Sequence, residues 1–449
     1  MTHTMPGTAR WALGGLSLAM LMPSLDTSIA NTALPALADA FAAPFPQVQW
    51  VVLSYLLAVT CLIAGAGRLG DVAGRRRVLL AGTALFTAAS LVCSLAPTLG
   101  VLIAARAVQG AGAAAMMALT TAMVGSAVPA DRAGRAIGLL GTLSAAGTAL
   151  GPSLGGLLTA AFGWRAVFLV TVPLGLLVLA VAWRTLPADP PREPGQRAAL
   201  DIRGILMLAL PVGAYALAMT GGAGSAPVLL AVAAVGAVLF VRAQARSPAP
   251  LLHPSLFQGW ALGAGLAATL LVSAVVMATL VIGPFYLSRG LGLDAARAGL
   301  VLSAGPLAAA VASLPAGRVV DRWGTGRVTM AGLGAMLAGL AALSAVAVGF
   351  GVAGYMAAIV TVTIGYAFFQ VANNTAIVTG APDGRRGAVS GVLSLSRNLG
   401  LVTGASVMGS LFATASAALG DVGGGMQVTF AVAAGLILVA LGVVRRAQA

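Results

Sequence analysis

Residues Gly67-Arg-Leu-Gly-Asp71-Val-Ala-Gly74-Arg75-Arg76-Arg77 return later in the chain as Gly317-Arg-Val-Val-Asp321-Arg322-Trp-Gly324-Thr-Gly-Arg327. The first Gly, the Asp, the Gly after it and the last Arg match at one constant offset of 250 residues. Self-similarity at a fixed offset marks duplicated architecture. Both copies lie between long apolar runs, so they read as equivalent corners of two related halves of a membrane protein.

Composition agrees. The 449 residues are 59% hydrophobic and 8% charged, about a third of the charge of an ordinary soluble domain. All 25 basic residues are arginine. A net charge of +14 would suit a nucleic-acid binder only if the arginines clustered on one soluble face. Here they sit in short loops between apolar segments, and no nucleic-acid partner is expected. Cys61 and Cys93 both fall inside apolar runs, too far apart for a disulfide, and read as buried packing residues. The first apolar run is too long for the core of a signal peptide and is read as a retained helix.

Runs of the length a spanning helix needs fall at 11–32, 46–66, 78–96, 99–125, 134–162, 165–183, 204–220, 226–241, 261–287, 298–316, 328–349, 352–379, 387–415 and 427–444. The expected fold is therefore an all-α membrane protein of fourteen transmembrane helices. The seventh and eighth runs are short and joined by Gly221-Gly-Ala-Gly224. Arginine placement orients the chain, because loops rich in basic residues stay cytoplasmic. With the N-terminus inside, twenty of the 25 arginines fall in inner loops and tails. Only Arg165, Arg289 and Arg297 fall outside, and Arg106 and Arg397 lie within spans. Both termini are expected in the cytoplasm. Six helices and their loops occupy 11–200, so an offset of 250 leaves room for one extra hairpin. The expected division is a six-helix bundle over 1–200, an inserted hairpin over 201–256 and a second six-helix bundle over 257–449. Paired six-helix repeats of this kind hold a central transport site between them.

Four segments carry a family resemblance over nearly the whole chain. They are Leu25-Asp26-Thr-Ser-Ile-Ala-Asn31-Thr-Ala-Leu-Pro35, Gln49-Trp50-Val-Val-Leu-Ser-Tyr55, Arg106-Ala-Val-Gln109-Gly110-Ala-Gly112 and Gly147-Thr-Ala-Leu-Gly151-Pro152-Ser-Leu-Gly155-Gly156. Together with the doubled loop they resemble the fourteen-span drug:proton antiporters of the major facilitator superfamily. The last segment resembles the fifth-helix motif that separates antiporters from symporters there. The resemblance implies a multidrug or antibiotic exporter of a bacterial cytoplasmic membrane. The chain departs from many such relatives in having no membrane carboxylate in its second half, and in carrying Ser288 where a glutamine is expected.

Of eleven acidic residues, only Asp26 lies inside a span. A charged group there costs at least a few kcal/mol, so a proton carrier is the functional reading and a packing carboxyl the structural one. Asp26 is about six residues from the outer end of its helix and Arg106 about seven from the outer end of the fourth, so both lie roughly 10 Å deep. Gln109 shares a face with Arg106. An Asp26–Arg106 link, direct or through Gln109 or water, would break on protonation; the alternative is a permanent structural pair.

Tyr366, Gln370, Asn373 and Asn374 form one polar stripe on the twelfth helix, and Ser390, Ser394 and Arg397 another on the thirteenth. With Gln109 and Tyr55 they are candidates for a substrate cavity, although polar stripes also glue membrane helices together. An anionic or carbonyl-bearing substrate would suit Arg397. Gly147, Gly151 and Gly155 recur every fourth residue, a close-packing face, and Pro152 bends the helix. With Gly156 they read as a bendable contact between the halves, or as tight packing alone. Gly67, Asp71, Gly74, Arg75, Gly317, Asp321 and Arg322 are candidate gating residues. Asp71 can pair with Arg75 or Arg68, or cap a helix N-terminus in the other half.

His3 and His253 are far apart in the sequence, and there is no metal-ligand cluster and no phosphate-binding loop with a lysine. Catalysis is not expected, nor is a metal or cofactor; the proton gradient would supply the energy. The expected function is proton-coupled antiport of small amphipathic compounds by a monomer in a lipid bilayer. The alternatives are a proton-coupled importer and a lipid-handling or sensor protein.

Overall fold

A computed structural model describes residues 7–127, 133–189, 202–220, 224–246, 260–345, 349–380 and 386–448. Among these residues every regular element is helical. This follows from the apolar runs: away from water a backbone must satisfy its own hydrogen bonds, which a helix does within one segment. Fourteen long helices follow in order: α1 (Gly7–Thr32), α2 (Trp50–Ala73), α3 (Arg75–Leu95), α4 (Leu99–Ala127), α5 (Ala133–Phe162), α6 (Thr171–Thr185), α7 (Ile202–Thr220), α8 (Ala226–Arg246), α9 (Trp260–Phe285), α10 (Ala295–Trp323), α11 (Thr325–Ala345), α12 (Gly351–Thr379), α13 (Arg386–Thr403) and α14 (Val422–Gln448). Helix α13 runs on through a π turn, Gly404–Met408, into Gly409–Leu419.

Among the described residues, thirteen helices are long and apolar enough to cross a membrane, and the apolar part of α7, Gly204–Thr220, is shorter. The expected count of fourteen spans therefore becomes thirteen full-length spans and one short apolar helix. Helix α7 carries Gly204 near its start and Pro211 in its interior. The expected boundaries at 200/201 and 256/257 lie outside the described residues, as do Gly221–Ala223, His3 and His253.

Packing repeats along with the sequence. In the first half α1 packs on α5 and α6, α2 on α4, and α3 on α4 and α6. In the second half α9 packs on α13 and α14, α10 on α12, and α11 on α12 and α14. The same pairs recur because the same faces were duplicated. Between the halves, α5 meets α10 and α2 meets α13, again an equivalent pair. Helices α7 and α8 pack on each other, and α7 leans on α2 and α13.

The apolar cluster fills the interior, yet Leu157, Leu176, Val311 and Leu314 remain more than half exposed on outward faces. A soluble protein rarely presents so much contiguous apolar surface. Each doubled loop turns on a glycine with positive φ, 101° at Gly74 and 81° at Gly324. A side chain with a Cβ is strained there, which is why both copies keep that residue.

Candidate functional site

Four helices of the first half converge on one buried polar cluster. Helix α1 supplies Asp26, α4 supplies Arg106 and Gln109, α3 supplies Ser90 and α2 supplies Tyr55. The side chains of Arg106 and Asp26 are 0% and 1% exposed and paired at 2.5 Å between Nη1 and Oδ2. The second carboxylate oxygen accepts from Gln109 Nε2 at 2.8 Å. That amide also donates to Ser90 Oγ at 2.7 Å, while its carbonyl accepts from Arg106 Nη1 at 2.6 Å. Arg106 Nε donates to the Val51 carbonyl at 3.0 Å. The Tyr55 ring lies 4.3 Å and the Phe168 ring 5.7 Å from the guanidinium carbon. Tyr55 itself donates to the Pro23 carbonyl at 3.3 Å. Both oxygens of Asp26 thus accept from neighbouring side chains.

The structure thereby brings Asp26, Arg106, Gln109 and Tyr55 together in a closed cluster, with Tyr55 and Gln109 buried rather than facing open space. Sequence reasoning missed Ser90, Cys93 and Phe168. Ser90 and Cys93 lie three residues apart on the buried face of α3, and Cys93 Sγ donates to Gln109 Oε1 at 3.8 Å. Their spacing puts them on one helical face, but nothing in the sequence says that this face turns toward α4. Phe168 comes from a short helix, Arg165–Leu169, and carries no such signal.

In the second half Tyr366, Gln370, Asn374 and Arg397 line one polar cavity of about 90 Å³, together with Thr269 and Ser273 of α9. Asn373 does not join them. Its amide donates to the Gly265 carbonyl at 3.1 Å and to Thr269 Oγ1 at 2.8 Å, binding α12 to α9. The cavity reading of Asn373 is corrected accordingly: it lies on the packed face of its helix. A separate apolar cavity of about 500 Å³ opens where α7 and α8 meet α9 and α13.

The glycines of α5 divide between two neighbours. A Cβ at Gly147 would stand 2.8 Å from the Leu21 carbonyl oxygen, and one at Gly155 3.1 Å from that of Ile29. One at Gly151 would overlap Ser28. All three contacts are with α1, inside the first half. Gly156 instead lies against Ala295 and Gly299 of α10, and Gly299 lies against the Pro152 carbonyl. Of the motif residues, Gly156 and the Pro152 carbonyl are the ones that meet Gly299 of the second half at close range.

The two ends of the bundle differ. At the arginine-poor end, Asp39 pairs with Arg289 at 2.8 Å across the halves. Phe45 packs edge-on against Phe285 at 4.7 Å and Phe412 at 5.4 Å. At the arginine-rich end each doubled loop is bonded within its own half. Asp71 pairs with Arg75 at 2.9 Å, and Arg75 also donates to the Ala122 carbonyl. Helix α3 is capped by Asp189, which accepts from the backbone N–H groups of Arg76 and Arg77 at 2.9 and 3.1 Å. In the second copy the position of Arg75 is taken by Thr325, and Asp321 and Arg322 form no ion pair among the described residues. Gly67 and Gly317 sit in the last turns of α2 and α10 with open space around them. No cluster of three metal-ligating side chains occurs among the described residues.

Comparison with known proteins supplies the remaining observation. The chain is 34% identical over 414 residues to the multidrug resistance protein Stp of Mycobacterium tuberculosis, covering 89% of this chain and 74% of that protein. It is 31% identical over 414 residues to the multidrug efflux pump LfrA of Mycolicibacterium smegmatis, covering 92% and 82%. Its fold resembles a bacterial homologue of the human lysosomal transporter Spinster, solved in an inward-facing and unoccupied conformation, with a TM-score of 0.71 at 14% identity over 99% and 98% of the two chains. Residues 16–405 match the sequence profile of the Major Facilitator Superfamily. Duplicated packing, doubled loop and profile agree, and the chain belongs to the Major Facilitator Superfamily, a family of transporters rather than enzymes.

Proposed function

We propose that this protein is a proton-coupled antiporter that exports small amphipathic organic compounds by alternating access. The observation that carries the reading is the Asp26–Arg106 pair. Asp26 is the one carboxylate among the described residues that lies deep within a membrane helix, and it is held by the Arg106 guanidinium at 2.5 Å. Adding a proton to Asp26 removes the negative charge, and the attraction to Arg106 goes with it. Such a pair is strongly coupled to proton binding because little water is present to compensate either charge. Its burial also means that proton exchange must wait for the bundle to open.

The cross-half contacts at the arginine-poor end support a cycle in which that end closes while the other opens. The relatives that carry the words multidrug resistance and multidrug efflux in their names support export of organic compounds. On this reading α7 contributes a short fourteenth span and α7–α8 form a hairpin inserted between two six-helix bundles, over 1–200, 201–256 and 257–449. The arginine-rich end and both termini face the cytoplasm of a bacterial cell whose inner membrane holds the protein. It works as a monomer and without a cofactor, its partners being protons, the substrate and the bilayer. Gly67, Asp71, Gly74 and Arg75, with Gly317, Asp321 and Arg322, would make contacts between the halves only in the state in which the cytoplasmic end is closed. Gly147, Gly151, Pro152, Gly155 and Gly156 let α5 bend and slide as the halves rock.

The test is transport in reconstituted vesicles. Asp26→Asn should abolish accumulation driven by a pH gradient while the protein still inserts and elutes as a folded species. Undiminished gradient-driven transport by that variant would overturn the proposal, and counterflow in the importing direction alone would favour uptake over export.

A further inference from the structure

We infer that the polar cavity of the second half is an anion subsite, and that the exported compound is an organic acid whose carboxylate binds Arg397. The inference rests on the export reading for its direction and on the cavity for its chemistry. Arg397 lies eleven residues into α13 from Arg386, roughly 16 Å along the helix axis, which is membrane depth. A guanidinium at that depth is expensive and is ordinarily paired. Arg397 is exposed to the cavity and makes neither a hydrogen bond nor an ion pair among the described residues.

No carboxylate of the described second half can compensate it. Asp294 caps the start of α10, Asp421 just before α14 accepts from the Gly424 N–H, and Asp321 sits in the doubled loop. In the first half Asp26 is already held on both oxygens by Arg106 and Gln109. The charge facing the cavity is therefore one uncompensated positive charge. The rest of the wall offers hydroxyls and amides from Ser273, Tyr366, Gln370 and Asn374, with Phe369 and Leu393 as apolar faces. A guanidinium presents a planar fork that binds a carboxylate through two parallel hydrogen bonds. A cationic substrate would meet like charge in a poorly hydrated site, where repulsion is weakly screened. An amphipathic acid places its carboxylate on Arg397 and its apolar body along Phe369 and Leu393.

The experiment compares benzoate, benzamide and benzylamine, which share a ring and differ in charge, as ligands of the detergent-solubilised protein and as counterflow substrates in vesicles without a gradient. Benzoate should bind the native protein and benzylamine should not. Arg397→Gln should weaken benzoate about 10- to 100-fold and leave benzamide within a few-fold. Arg397→Lys should recover part of the benzoate affinity, which separates charge from packing or misfolding. Benzylamine binding as well as benzoate, unchanged benzoate affinity in Arg397→Gln, or no binding by any of the three would each overturn the inference. The two readings fail separately. With Asp26→Asn, benzoate binding, which rests on Arg397, should persist while gradient-driven export stops. Export that persisted there would sink the coupling reading and leave the anion subsite standing.

Discussion

Asp26 and Arg106 each have a reason to be where the other is, and neither tolerates the membrane interior alone. The carboxylate is held by two donors and the guanidinium by a carboxylate, an amide and a backbone carbonyl. Removing one partner leaves a buried charge without compensation, which typically costs about 3–5 kcal/mol. Arg106→Met should therefore destabilise the protein by about that amount, and adding Asp26→Asn to it should restore part of the loss. Thermal unfolding of the two single variants and the double variant measures this directly; strictly additive losses would mean that the pair is not the unit of stability. Ser90→Ala should cost less, about 1 kcal/mol, because it removes one hydroxyl partner of Gln109 and no charge. The same reasoning explains what was legible here. A lone acid and an arginine at matching depth on two spans announced each other, and Gln109 followed from helical spacing. The hydroxyl of Ser90 and the ring of Phe168 did not, because nothing in a sequence says which faces of α3 and of a short loop helix turn toward α4.

Among the elements, α5 does two jobs with one run of glycines. Gly147, Gly151 and Gly155 let it lie close on α1, whereas Gly156 and the Pro152 carbonyl bring it against Gly299 of α10. A sequence reading assigned the whole motif to one contact, since spacing alone identifies a small-residue stripe and not its partner. The division makes a prediction. Gly156→Val places a side chain into the Ala295 carbonyl and should weaken the contact between halves by about 1–3 kcal/mol. Gly141→Ala on the same helix meets nothing within 4 Å and should be silent. The measurement is labelling of a cysteine placed near Phe45 at the arginine-poor end. Labelling should rise in Gly156→Val and stay level in Gly141→Ala; equal labelling in both would show that the α5–α10 contact does not hold that end shut.

Across the whole molecule, the repeat has a consequence beyond family likeness. Asp39 and Arg289 are themselves separated by 250 residues, the offset of the doubled loop, so equivalent positions of the two halves meet each other. Equivalent positions touch only close to the axis that relates the halves, and this ion pair therefore marks the centre of the arginine-poor face. The pair is exposed, 45% and 71% at its two side chains, and such pairs contribute about 0–1 kcal/mol. It registers the halves more than it stabilises them. If the halves must part there during transport, joining Asp39→Cys to Arg289→Cys with a cleavable bifunctional thiol reagent should stop transport, and cleaving the linker should restore it. Cys61 and Cys93 are buried and should not compete for the reagent. Full transport with the linker in place would mean that this end stays shut throughout the cycle.

Helix positions, the twofold repeat and the single membrane acid were determined by the sequence alone, because all three depend on local apolar length and on residue identity, which a bilayer converts directly into helices. The short α7 was already visible as a short apolar run, and the structure gave the helix its ends at Ile202 and Thr220. What the tertiary structure decided is which faces meet. It turned Asn373 into a bond between α12 and α9 while leaving Gln370 and Asn374 on the cavity wall, a difference of single residues on one helix. It also gave the cap of α3 to Asp189, which lies more than 100 residues away in sequence from Arg76. The physical reason is common to each case. A helical period assigns residues to a face, but the rotation of that face about its axis is set by the packing of neighbouring helices, and that is a property of the assembled bundle.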